Sequence, residues 1–255
     1  MKMNQLIQLL RDNASPRAEG VPPIRVDATT DGEAHLYVYD VIDPYWGASA
    51  TALIAALAAA GDRAPHLHLN SPGGDVFEGL AMSAAIAAHP HPVTCHIDGL
   101  AASAATGLAL ACASIQMTEG GLFMIHNSWT LAYGNKGDLR ATADLLDKVD
   151  QGIAATYVRA TGCSTEQALA WMQAETWFTS AEALDAKFID TVAPASQREP
   201  GSAQARAAKW NLSAYANAPK LAADAPTQAE RDATHAQFAA MHQHNRNRLR
   251  LVAQI

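Results

Sequence analysis

The chain has 255 residues, of which 49% are hydrophobic and 17% charged, and a formal net charge of −7. That length holds one good-sized core domain with an appendage, or two small domains, and the acidic balance excludes a broad basic surface for nucleic acid. Three cysteines, Cys95, Cys112 and Cys163, with no CxxC spacing argue against a disulfide scaffold or a zinc site and fit a reduced, cytoplasmic setting.

Residues 1–24 carry a short amphipathic stretch, MKMNQLIQLLRDN, interrupted by Gln5 and Gln8 and ended by Arg11 and Asp12. It is too short and too polar for a signal segment. From His35 a strand–helix rhythm sets in. HLYVYDVI (His35–Ile42) reads as a strand, Ala48–Gly61 as a helix with a glycine stop, and HLHLN (His66–Asn70) as a short alternating strand. Asp75–Ala88 reads as a helix closed by HPHP, and VTCHI (Val93–Ile97) as a strand that ends in a glycine turn. The longest apolar run, Leu100–Ala113, contains Ser103, Thr106 and Gly107. It falls short of the roughly 20 residues that cross a bilayer, so a buried helix from Ala101 to about Ala111 is expected and no membrane span.

Two short apolar segments, Ser114–Met117 and Leu122–Ile125, flank Glu119-Gly120-Gly121. A long helix is expected from about Asp138 to Ala160 and a shorter one from Ser164 to Ala174. Alternation of this kind indicates an α/β core, here assigned to residues 25–195. Residues 196–255 are rich in Ala, Gln, Asn and Pro and are expected as a partly helical or disordered extension outside the core, with a polar helix from Thr227 to about Ile255.

Three segments bear on chemistry. Asn70–Asp75 reads NSPGGD at a strand-to-helix junction. Its proline and glycines permit a turn that presents backbone N–H groups to an anion or a developing oxyanion, although the same residues also suit a plain tight turn with Asp75 as helix cap. Asp98–Ala105 reads DGLAASAA and delivers Ser103 near the start of an apolar helix. This is the logic of a nucleophile elbow without the G-x-S-x-G motif, and equally of a small packing residue. In MIHNS an apolar strand delivers His126 to its end, and histidine is the usual base for a serine. The other nine histidines fall in strands, a proline turn or the extension, and HLH and HPH lack partners at metal-ligand spacing. No metal and no cofactor are expected. The glycines of GGDVFEG (73–79) lack the lysine and spacing of a P-loop.

The order of these motifs, SPGG, then AAS, then MIH, each after a strand, resembles the Clp protease family over roughly residues 25–193. The resemblance implies a crotonase-like spiral of ββα units in subunits that stack as homo-oligomeric rings, with the helix from Asp138 as the ring-to-ring handle. It makes Ser103 the nucleophile, His126 the general base, and the N–H groups of Gly74 and Ala104 the oxyanion donors. For the orienting acid it points to Glu175 in AETWFTSAEAL, where the family has an aspartate; an ungapped match on FTS places Thr176 there instead.

Within the family, HLYVYDVIDPYWG, DGLAASA, ETWF and the polar extension resemble the Clp-like head maturation proteases of tailed phages. That implies scaffold or capsid protein as substrate, in an assembling procapsid, without an intrinsic ATPase. Two other readings stand beside it. One is an acyl-CoA enzyme on a crotonase fold that needs no serine nucleophile. The other is a ring-forming assembly protein with a degenerate site.

Overall fold

A computed structural model describes residues 5–14, 22–28, 32–194 and 209–219. Its elements in order are α1 (Gln5–Asn13), β1 (Arg25–Ala28), β2 (Glu33–Val38), α2 (Ala50–Ala60), β3 (Ala64–Ser71), α3 (Val76–Ala87), β4 (Thr94–Ala102) and α4 (Ala104–Leu110). There follow β5 (Ser114–Thr118), β6 (Leu122–Ile125), α5 (Lys136–Thr161), α6 (Thr165–Gln173), β7 (Thr176–Thr179), α7 (Ser180–Asp185) and β8 (Thr191–Ala193). All described residues fall in one compact unit.

The helix ends follow from local chemistry. Ser49 caps α2 by accepting from Ala52 N–H, and Asp75 caps α3 by accepting from Glu78 N–H at 2.8 Å. Asn135 and Asp138 form a reciprocal capping box on α5, which stops at Gly162 in the left-handed conformation, φ 76°.

The strands run in the order β1-β2-β3-β4-β5-β8, parallel except for the β1–β2 pair. β4 is the pivot of the sheet. Its first half, Thr94–Ile97, pairs with β5, and its last residues, Leu100–Ala102, pair with β6, which carries β7 antiparallel on its other side. The β3–β4 register shifts between Leu69 and Ser71, where the sheet forks. Gly99, expected in a turn, therefore lies inside a strand, because Leu100–Ala102 find a second partner and are fully buried.

Period-2 alternation sorts the sheet into two faces. Leu67, Leu69, Cys95 and Ile97 join Leu53, Leu57, Met82, Ile86 and Leu108 in the main core. On the opposite face His35, His66, His68 and His96 form a ladder across β2, β3 and β4. His35 Nδ1 meets His68 Nε2 at 2.9 Å, and His66 Nδ1 meets His96 Nε2 at 2.9 Å. His68 Nδ1 then meets Asp98 at 2.8 Å, and His96 Nδ1 faces Gln116 at 3.3 Å. Glu33 stands 3.5 Å from both His35 and His66. Among the described residues no group of three or more His, Cys, Asp or Glu is arranged to hold a metal ion, and no helix is long and apolar enough to cross a membrane.

Near the fork the second face is covered. Leu9 from α1, Leu100, Ala102, Leu122 and Met124 from the sheet, and Leu212, Ala214 and Tyr215 form a second apolar cluster. Here the expectation of an extension wholly outside the core needs correction. Residues 209–219 pack on the core because their few apolar side chains meet a ready apolar surface while their polar groups find partners. Asn13 Nδ2 donates to Asn211 O at 2.9 Å, and Asn211 N–H donates to Asn13 Oδ1 at 2.6 Å. The helix expected from Thr227 lies outside the described residues.

Candidate active site

Ser103 sits where β4 ends and α4 begins, with φ 55° and ψ −125°. A side chain rarely adopts this geometry, and holding it costs on the order of 1–3 kcal/mol. Its surroundings fix it: Ser103 N–H donates to Met124 O at 2.8 Å, and its carbonyl accepts from Thr106 N–H and Thr106 Oγ1 at 2.9 and 2.7 Å. Thr106 Oγ1 is in turn 2.9 Å from the Tyr157 hydroxyl on α5. The Ser103 side chain makes no capping bond to α4. Its Oγ lies 2.7 Å from His126 Nε2 instead.

His126 follows β6, whose four residues are all buried, and is itself only 8% exposed. Burial pushes its pKa down to about 4, so near neutral pH the imidazole is uncharged. Its Nε2 can then accept the serine proton.

The NSPGGD turn presses against the serine. A Cβ added to Gly73 would lie 2.5 Å from Ala102 O and 2.8 Å from Ser103 Cβ, and one added to Gly74 would collide with the Ile42 carbonyl. Both glycines have positive φ, 88° and 150°. Ile42 N–H donates to Gly73 O at 2.9 Å and Asp75 N–H donates to Ile42 O at 2.8 Å, a pairing that leaves the Gly74 N–H out. Ala104 is the first residue of α4, where a helix leaves its N–H without an internal acceptor. A cavity of about 420 Å³ between α3, α4 and α5, walled by Val76, Leu80, Leu110, Ile153 and Tyr157, opens onto Ser103 and His126. A smaller one of about 120 Å³ touches the same pair and is bounded by Gly74, Phe77, Trp129 and Tyr215.

The acid departs from expectation. Glu175, at φ 49° between α6 and β7, does not bond His126. Its carboxylate accepts from Ala216 N–H at 2.8 Å, Asn217 N–H at 2.6 Å and Trp177 Nε1 at 3.3 Å. Thr176, the alternative, donates to Trp171 O at 2.7 Å. Two backbone donors outcompete one imidazole N–H for the carboxylate, and residues 216–217 supply them. Asp150 on α5 accepts from Ser128 N–H and Ser128 Oγ, both at 2.7 Å, and so fixes the loop that leaves His126.

Tyr215 is the neighbour that sequence reasoning missed. It is buried, donates to Pro72 O at 2.5 Å, and sets its ring edge-on to His126 at 5.3 Å. Burial pushes its phenol pKa far up, an effect opposed by hydrogen bonding to Ser103. Its only signal in the sequence is an aromatic residue, with Trp210, in an otherwise Ala- and Asn-rich stretch.

The sequence pattern that defines the Clp protease family matches residues 29–196. The chain belongs to that family. An ATP-dependent Clp protease proteolytic subunit 1 from Leifsonia xyli is 30% identical over 134 residues, covering 50% of this chain and 66% of the relative. One from Protochlamydia amoebophila is 35% identical over 129 residues, 49% of this chain and 62% of the relative. One from Streptomyces coelicolor is 27% identical over 202 residues, 74% and 90%. The chain thus spans just under two thirds of the length of the first two. Among solved structures, a ClpP1 mutant from Listeria monocytogenes aligns with a TM-score of 0.50 and 21% identity over 57% of this chain and 81% of its own. This supports the Clp protease fold, a crotonase-like α/β architecture.

Proposed function

We propose that the protein is a serine endopeptidase that works through an acyl-enzyme. The observation that carries this reading is the 2.7 Å contact between Ser103 Oγ and a neutral His126 Nε2 at a strained strand-to-helix turn. Ser103 Oγ attacks the peptide carbonyl while its proton passes to His126 Nε2. The carbonyl oxygen takes up the negative charge, and the N–H groups of Gly74 and Ala104 stabilise it. The intermediate collapses by breaking the C–N bond, and His126 returns the proton to the leaving amine. Water, deprotonated by the same imidazole, then releases the acyl group and restores Ser103. Glu175 is the acid assigned to hold His126 Nδ1–H during these transfers.

The finer reading is that the subunits assemble as homo-oligomeric rings in the cytoplasm and process scaffold or capsid protein during phage head maturation, without needing an ATPase. Its support is the likeness of HLYVYDVIDPYWG, DGLAASA and ETWF to that group.

A fluorophosphonate probe tests the chemistry. Ser103 is expected to be labelled, Ser103→Ala to remain blank, and mass spectrometry of the two forms expressed with capsid proteins to show fragments only with the wild type. Absence of labelling with an intact fold would favour an assembly protein or a crotonase-type enzyme.

A further inference from the structure

Residues 210–217 border three parts of the proposed site: the glycine turn, His126 and Glu175. Trp210 Nε1 donates to Asn70 Oδ1 at 3.1 Å, at the end of β3, and the Tyr215 hydroxyl donates to the carbonyl of Pro72 in the glycine turn. The Tyr215 ring lies 5.3 Å from His126, 5.1 Å from Trp129 and 5.7 Å from Trp177, and it bounds the smaller cavity beside Ser103. Ala216 and Asn217 N–H groups occupy both oxygens of Glu175, while Asn217 Nδ2 donates to Ala174 O at 2.8 Å. One short segment thus walls one side of the smaller space beside the nucleophile and also satisfies the carboxylate assigned to the histidine.

We infer that residues 209–219 form an internal plug that keeps the site latent, and that its release both widens the side of the site bounded by Gly74, Phe77 and Trp129 and frees Glu175 to turn towards His126 Nδ1. The inference rests on the serine peptidase reading. Physical chemistry makes the plug strong enough to hold and weak enough to leave. It fully buries only three apolar residues, Leu212, Ala214 and Tyr215, with Trp210 and Ala218 partly buried beside them, and its polar hold consists of hydrogen bonds that water replaces on departure. Residues 210–219 carry no charge, so no buried ion pair has to be broken.

A second consequence concerns the base. Tyr215 and Trp129 pack against His126 and contribute to the burial that holds its pKa near 4. Withdrawal of Tyr215 opens one side of the ring to water and moves the pKa up towards its ordinary value. Release thereby places the base closer to working pH while the acid becomes available.

The test uses the full-length protein with two separate changes outside the proposed catalytic groups. Tyr215→Ala removes the ring, and Asn217→Pro removes both the N–H bound to Glu175 and the amide bound to Ala174. Labelling of Ser103 by the fluorophosphonate is expected to run at least about tenfold faster in each variant. Added chymotrypsin is expected to cut after Leu212 in the variants and to spare that bond in the wild type. Equal labelling rates in wild type and folded variants overturn the plug and leave the peptidase reading standing. No labelling in any form overturns the peptidase reading itself. Equally rapid cutting after Leu212 in the wild type overturns the plug whatever the labelling shows.

Discussion

Ser103 holds a backbone conformation that its side chain disfavours, and three hydrogen bonds around it, to Met124 O and from Thr106, keep it there. The reward for this strain is position: Oγ faces His126 instead of capping its own helix. His126 in turn is neutral because it is dry. Its pKa near 4, below the ordinary 6.5, means that protonation is penalised in the folded state. The stability it contributes is complete above pH 6.5 and is lost as pH falls towards 4, by on the order of 3 kcal/mol. An NMR titration of the His126 ring is expected to give a midpoint near 4 in the wild type, with a higher midpoint in Tyr215→Ala. A midpoint near 6.5 in the wild type would mean that the ring is hydrated.

At the scale of elements, strands β2, β3 and β4 make one dry face and one imidazole-lined face from a single alternating pattern. His96 shows the cost of that arrangement: burial first, and the neighbouring His68 next, lower its pKa. The groups facing it are His66, His68, Asp98 and Gln116, with His35, Glu33, Tyr37 and Tyr39 further along the ladder. A lowered histidine pKa gives stability that is present above about pH 6.5 and is lost below it. His96→Gln is therefore expected to flatten the fall of Tm between pH 7 and 5.5, by on the order of 2–4 °C, as followed by circular dichroism.

The same elements show what was legible beforehand. HLHLN alternates within one strand, and the long helix carries its own caps, so both were readable from local pattern. β1, β7 and β8 have only three or four residues each and owe their conformation to their partners, so no local signal announced them. Ser103 and His126 were legible as one site from motif order. The engagement of Glu175 was not, because its competitors for the carboxylate lie more than 40 residues away, at 216 and 217.

On the scale of the whole molecule, both flanks of the Clp-protease-family core converge on the face that carries the candidate site. Asn13 mimics a strand neighbour by giving and accepting one hydrogen bond with Asn211, and Gln8 Nε2 donates to Ser213 Oγ at 3.0 Å. Asn13→Ala leaves the Asn211 N–H and carbonyl to water instead of these partners, a loss of about 0.5–1.5 kcal/mol. Chymotrypsin is expected to cut after Tyr215 more readily in this variant, with the main melting transition of the core unmoved. A shift of the main transition with no change in cutting would instead assign Asn13 to the core.

The pairing of Asn13 with Asn211 also sets a clock. These partners stand 198 residues apart in the chain, so closing their loop is among the least local events in folding and belongs to its slow end. During synthesis the strands, Ser103 and His126 all emerge before residue 209 does. Every newly made chain therefore passes through an interval in which the serine and histidine have been made and Tyr215 does not yet cover them.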